Sequence, residues 1–315
     1  MKKLLIAGVA LALITGCNMK NPLLMESSAP FGAPQFDKIE NEHYLPAFEA
    51  GIAEAKAEID AIVANEEEPT FENTIEAMEF AGETLNNAAS IFYNLMEANT
   101  NDELQQIAEQ LSPMLTEYSM YVSLNPVLFE KVKAVYEKRN DLGLDQDQMT
   151  LLEDNYKSFV RGGANLSDGD KELYSKWSEE LSLATLQFSK NVLAATNAYV
   201  LNITDEADLA GLPEFVRTMA AETAAEKGLE GWAFTLQAPS YSPFLKYSEN
   251  RELRRQIWTA YNTRAIGGEF DNTEIVKKIV DLRIKIANIL GYETYYRVHH
   301  ESSRAFAPIR QEGCR

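Results

Sequence analysis

The chain has 315 residues, 45% of them apolar and 24% charged, enough to bury one large core or two modest ones. Asp and Glu outnumber Lys and Arg 48 to 29, a formal net charge of −19. That composition excludes extended disorder, and its negative field repels phosphate backbones, so nucleic acid is not an expected partner.

The first residues have signal-peptide anatomy: Lys2 and Lys3, an apolar run from Leu4 to Ile14, and small residues before Cys17. The run is too short to span a bilayer as a helix. Leu13-Ile14-Thr15-Gly16-Cys17 also resembles a bacterial lipoprotein cleavage site, so we expect residues 1–16 to be removed and Cys17 to be lipidated. A plain secretory leader that happens to end in Cys, or an uncleaved anchor, is the alternative. Either way the protein is expected in the cell envelope, membrane-anchored through lipid or periplasmic. The only other cysteine is Cys314. With Cys17 carrying lipid no intramolecular disulfide is available, and packing alone must hold the domain.

Residues 17–34 read as a polar, Pro-containing tether. Helical periodicity follows. Tyr44, Phe48, Ile52, Ala55, Ile59 and Ile62 recur every three or four residues and predict an amphipathic helix. Thr70 caps a predicted second helix whose apolar positions are Phe71, Ile75, Met78 and Leu85. Further helices are predicted from Leu104 to Tyr121, Val127 to Lys138 and Gln146 to Val160. The glycines of RGGANLSDGDK stop the last of these, and Ser167 with Asp170 starts a long helix from Lys171 to Ala195. Leu173, Trp177, Leu181, Leu183 and Phe188 mark its expected buried side.

Two short β-branched and aromatic runs, 199–203 and 232–237, are predicted to pair as a small antiparallel hairpin around a helix at 213–227. Helices resume at SENRELRRQIWTAYNTRA. Asp271 and Glu274 then form a capping-box pattern before a helix that Gly291 ends. The expected fold is therefore mainly α, a multi-helix array with one small hairpin. There is no internal repeat and no low-complexity tract.

Chemistry-bearing motifs are scarce. The sequence has no Gly-rich phosphate loop, no G-x-S-x-G, no paired cysteines at metal spacing and no H-E-x-x-H. Its three histidines are His43, His299 and His300. His43 opens the first helix, where an imidazole usually caps. Adjacent His299 and His300 cannot share a helix face, although with Glu301 they could hold a metal loosely from a loop. His300-Glu301 is followed by Arg304 where a zinc helix would carry its second histidine. Glu66-Glu67-Glu68 reads as a solvated loop, and Arg251, Arg254 and Arg255 as helix-surface cations pairing with Glu249 and Glu252.

Particular strings say more. HYLPAFEAGIAEAKAEIDAIVAN, PTFENTIEAME, SFVRGGANLSDGDK, SPFLKYSENRELRRQIWTAYNTRA and DNTEIVKKIVDLRIKIANILGYETY resemble the N-terminal half of the thimet oligopeptidase family of zinc peptidases. The likeness is strongest to its bacterial peptidyl-dipeptidase branch and runs from about Asn21 to Tyr295. The resemblance implies one lobe of a helical two-lobed molecule that admits short unstructured peptides and releases C-terminal dipeptides. It also implies metal-assisted hydrolysis, with zinc and a Glu base activating water.

The family's H-E-x-x-H helix has no counterpart here, so no catalytic and no metal-binding residue is assigned. Zinc belongs to the full-length family and is not expected on this chain. Residues 35–296 are read as the helical N-terminal portion of such a peptidase, inactive alone, onto which the catalytic half would pack. Residues 297–315, rich in Arg and His, are read as an aberrant tail from a truncated or frameshifted reading frame. The competing reading is a non-catalytic helical lipoprotein that captures peptides.

Overall fold

A computed structural model describes residues 21–300, apart from the side chains of residues 299 and 300. The signal-peptide reading of residues 1–16, the lipidation reading of Cys17, and Glu301, Arg304 and Cys314 lie outside the described residues. The fold is mainly helical, with one two-stranded antiparallel sheet among the described residues. The chain divides into two compact units, one up to Lys171 and one from Glu172 onward.

In the first unit, α1 (Tyr44–Ala64) places all six residues of its predicted stripe in the core. It lies along α3 (Glu83–Ala98) and α4 (Asp102–Ser123). The rings of Tyr44 and Phe48 meet Phe92 edge-on at 5.0 and 5.6 Å, a geometry that sets the positive ring edge against the negative face. At Gly51 any Cβ would stand 2.9 Å from the Leu85 backbone, so glycine is what lets α1 and α3 approach so closely. A second cluster gathers Ile59, Ile75, Leu128, Val132, Leu152 and Phe159 from α1, the turn at Phe71–Glu76, α5 (Pro126–Glu137) and α6 (Gln146–Arg161). Each such side chain contributes about 1.5–3 kcal/mol by leaving water.

Two expectations are corrected in this unit. The stretch read as a tether is docked where the described residues begin. Asn21 and Leu23 are buried, and Asn21 Nδ2 donates to the His43 carbonyl at 2.8 Å. The single helix expected across Phe71 to Leu85 is broken. A π-helical turn, Phe71–Glu76, opens on the predicted Thr70 cap, with Asn73 N–H donating to Thr70 Oγ1 at 3.1 Å, and runs into the short α2 (Ala77–Glu79). The chain then turns at Gly82, whose φ of 80° suits glycine, and its N–H donates to Glu58 Oε2 at 2.7 Å. Leu85 therefore belongs to the next helix.

The second unit is built around β1 (Leu201–Ile203) and β2 (Trp232–Phe234), which pair antiparallel with Leu201 opposite Phe234 and Ile203 opposite Trp232. The hairpin and the helix between its strands, α8 (Glu214–Glu226), match the sequence reading. The Phe234 ring meets that of Phe244 of α9 (Ala238–Tyr247) in a tilted pair with centroids 4.5 Å apart, and Leu209, Val216 and Ile257 complete a fully buried core. Ile257 comes from α10 (Arg251–Asn262). At Gly231, φ is 85° and a Cβ would sit 2.2 Å from the Ile203 carbonyl oxygen, which reserves this turn for glycine.

The long helix α7 (Asp168–Ala198) starts at the predicted cap, where Ser167 Oγ donates to Asp170 at 2.8 Å. Its expected buried side is not buried. Leu173 and Leu183 are exposed, Trp177, Leu181 and Phe188 are partly covered, and Ala184 alone is buried. Periodicity identifies an apolar side but not what covers it. Helix α11 (Thr273–Ile289) ends at Gly291, with φ of 81°, before the short α12 (Tyr295–His300). Its start departs from the capping box. Asp271 Oδ1 accepts from the N–H groups of Gly267 and Thr273 at 2.8 and 3.0 Å, while Glu274 reaches Lys277 instead.

Candidate functional site

The residues singled out by chemical type do not converge. His43 accepts a hydrogen bond from the Glu40 N–H at 2.9 Å, closing a capping box on the turn Asn41–His43 that leads into α1. Glu68 pairs with Lys138, which holds its carboxyl below the usual range. Arg255 grips Glu252 through Nε at 3.0 and 3.1 Å, and this contact lowers the pKa of Glu252. Arg254 donates to the Ser248 carbonyl, and Arg251 is exposed. The arginine cluster is thus occupied largely by its own helix and the turn before it. Among the described residues no group of three or more His, Cys, Asp or Glu could hold a metal ion.

A more organised region lies along α11 and the loop leading into it. Ala265 adopts a φ of 57°, unusual for a residue with a Cβ, and is held there by the Asn272 N–H donating to its carbonyl at 2.9 Å. Asn272 is buried and satisfied at both ends of its side chain. Its Nδ2 donates to the Phe188 carbonyl at 3.0 Å, and its Oδ1 accepts from Asn191 Nδ2 at 2.9 Å. The loop's Asp271 carboxyl is held below its ordinary value by the Thr273 hydroxyl and the Gly267 and Thr273 N–H groups. The outcome is a loop tied to α7 by directional bonds, with Ile266 exposed beyond it.

Aromatic and cationic side chains flank this region. The Arg283 guanidinium lies 5.2 Å from the Tyr295 ring and Lys285 Nζ 5.9 Å from Trp177, within cation–π range. Burial, then the nearby Tyr295, pushes the Tyr174 phenol above its ordinary value, opposed by a bond with Ser178. Just before this loop, Tyr241 stacks on Tyr261 at 4.1 Å and the Arg264 guanidinium lies 3.8 Å from the Tyr261 ring. No nucleophile is paired with a base in either group. The groups gathered here are rings, cations and apolar side chains. None of these clusters was read from the sequence, although Tyr261 and Arg264 are separated by the i, i+3 spacing that brings helix neighbours together.

Residues 244–310, which include the end of α9 and α10 to α12, match the model of Peptidase family M3. The chain is a homologue of the M3 peptidases, as the resemblance led us to expect. It is 39% identical over 277 residues to the dipeptidyl carboxypeptidase of Escherichia coli strain K12, covering 87% of this chain and 41% of that relative. It is 34% identical to oligopeptidase A of Haemophilus influenzae, covering 88% and 41%. The organellar oligopeptidase A of Arabidopsis thaliana is 30% identical, covering 88% and 35%. The chain thus spans about two fifths of the length of the curated relatives it matches. The family match also takes in residues 297–310, which the sequence reading set apart as a tail. M3 peptidases are zinc-dependent in general. The described residues do not supply a donor set that fits zinc, so no chemical step is drawn through a metal on them.

Proposed function

We propose that this chain provides the helical, peptide-holding part of a zinc peptidase that cuts short unstructured peptides and releases dipeptides from their C-terminus. The observation that carries the proposal is the 39% identity to a dipeptidyl carboxypeptidase across 87% of the chain. Metal-assisted hydrolysis of that kind needs a polarising metal and a base beside the scissile carbonyl. The described residues offer rings, cations and apolar surface instead, which supports a binding role with the chemistry supplied from outside them. On this reading the chain alone hydrolyses nothing. The leader and Cys17 support export to the cell envelope and a lipid anchor.

The test uses N-blocked hexapeptides with micromolar zinc and mass spectrometry of the products. The full chain alone is expected to release no dipeptide. Joined upstream of the unaligned remainder of the E. coli dipeptidyl carboxypeptidase, it is expected to release C-terminal dipeptides in a chelator-sensitive reaction. Zinc-dependent hydrolysis by the chain alone would overturn the inactive-alone part. A folded fusion that binds peptides yet cuts none would favour the peptide-capturing lipoprotein.

A further inference from the structure

A short stretch near the start of the first unit differs from the rest of the chain in charge. From Ser27 to Phe36 the sequence SSAPFGAPQF carries no charged residue. Between Cys17 and Phe36 the only charges are Lys20 and Glu26, which cancel, in a chain of net charge −19. The middle of the stretch forms a tight turn, Pro30–Gly32. Phe31, at its tip, is fully exposed and has a φ of 62°, a left-handed conformation that is strained for an aromatic residue.

The turn is held in that shape. Ser27 Oγ donates to the Ala33 carbonyl at 2.6 Å and accepts from the Ala29 N–H at 3.2 Å, while the Gly32 N–H donates to the Ala29 carbonyl at 3.1 Å. Gln35 Nε2 donates to Ser28 Oγ at 2.9 Å, and Pro30 and Pro34 have no N–H to satisfy. Strain that surrounding bonds maintain, and that presents an apolar ring to solvent, calls for something to cover the ring. The internal pairing of the turn's polar groups suits surroundings poor in water, where an unpaired N–H is costly.

Position in the chain points to the cover. Asn21 is buried and bound to the His43 carbonyl, which fixes this point of the chain to the unit. Cys17 precedes it by four residues, a span of at most about 14 Å. With lipid on Cys17, a bilayer surface stands about that far from Asn21, and the exposed large apolar side chains that follow first are Met25, Phe31 and Phe36. Charge agrees with this. Anionic lipid repels acidic surface, whereas a neutral stretch approaches zwitterionic headgroups without that cost. Aromatic rings also settle at headgroup level.

We propose that the turn Pro30–Gly32 is a membrane-contact element: Phe31, with Met25 and Phe36 close to it in the sequence, inserts at the headgroup level of a zwitterionic bilayer and orients the anchored first unit on it. The inference rests on the lipid-anchor part of the function proposed above and is independent of the hydrolysis.

The test uses the full chain with its own leader, carrying Cys314→Ser and Phe31→Cys, produced in a bacterial host. Mass spectrometry reads acylation of Cys17, which leaves position 31 as the only thiol for a fluorophore that brightens out of water. The protein is placed in phosphatidylcholine vesicles with and without a lipid bearing a nitroxide just below the headgroup. Phe80→Cys, also exposed and in the same unit, is the reference. The nitroxide is expected to remove about half or more of the emission at position 31 and less than about a tenth at position 80. With the fluorophore moved to Phe36→Cys, adding Phe31→Asp is expected to restore about half of the lost emission.

Equal quenching at positions 31 and 80 would overturn the inference, whether both are quenched or neither. A bright, unquenched label at position 31 would overturn it as well, since protein then covers the ring, and a dimer mass by light scattering would identify a second copy. Unchanged quenching at position 36 in the Phe31→Asp variant would take the insertion away from Phe31. A Cys17 without acyl chains would sink the anchor and the inference together, whereas an acylated chain with an unquenched turn would sink the inference alone.

Discussion

Helices α1 and α11 are built from similar materials and meet different fates. Both have an apolar residue at nearly every third or fourth position and charges between. In α1 the apolar residues form one stripe, covered along its first part by α3 and α4 and at Ile59 and Ile62 by the cluster that includes Phe71, Ile75 and Leu128. In α11 the stripe through Ile279, Leu282 and Ile286 is covered, as is Ala287 near its end, while Val276, Val280 and Ile284 are exposed. The width of the apolar arc, more than its periodicity, separates a helix that completes a unit from one that leaves large apolar side chains exposed.

The largest effect is expected at the centre of the α1 packing. Phe92→Ala removes a ring that Tyr44 and Phe48 both meet edge-on, and should destabilise the first unit by about 3–5 kcal/mol in urea unfolding. A loss below about 1 kcal/mol would mean that the ring cluster is not the anchor of α1. Within α11 the contrast can be measured on one helix. Ile279→Ala should cost about 2–5 kcal/mol, whereas Ile284→Ala should stay within about 0.5 kcal/mol in the chain by itself. Equal losses at both positions would erase the distinction between the covered and the exposed residues.

A smaller effect is expected at Asn272. Replacing it with Ala leaves the Phe188 carbonyl and the Asn191 amide without the partners they have now, at about 1–3 kcal/mol. Hydrogen exchange should speed up at the start of α11 first.

The smallest concerns Tyr44, whose buried hydroxyl has no hydrogen-bond partner and whose pKa burial raises above its ordinary 10.0. Tyr44→Phe should be neutral or stabilising by up to about 1 kcal/mol at pH 7. A phenol with a raised folded pKa contributes stability that is fully present below the unfolded value and is lost as pH rises through the folded one. The parent protein should therefore lose thermal stability above about pH 10 more steeply than the Phe variant. Parallel curves would show that Tyr44 is not among the groups responsible.

Much of the fold could be read in advance because its signals are local. Thr70 and Ser167 cap where expected, Gly291 ends α11, and the hairpin follows from two β-branched and aromatic runs bounded by turns. What escaped notice depends on distant groups. The break at Gly82 is supported by a carboxylate from Glu58, 24 positions earlier. The docking of Asn21 needs the His43 carbonyl, and the partial exposure of α7 depends on what stands opposite it. The candidate site was harder still. Its Asn272 clasp joins residues 81 and 84 positions apart, which no local pattern announces.

The Asn272 clasp has a mechanical consequence. Hydrogen bonds fix direction, whereas apolar packing tolerates sliding, so the bonds to Phe188 and Asn191 set the angle at which α11 leaves its loop. A helix of 17 residues is about 25 Å long. A tilt of only about 10° at the clasp would carry the far end about 4 Å, nearly the advance of one helical turn. Two asparagine side chains thereby determine where the far end of α11 stands.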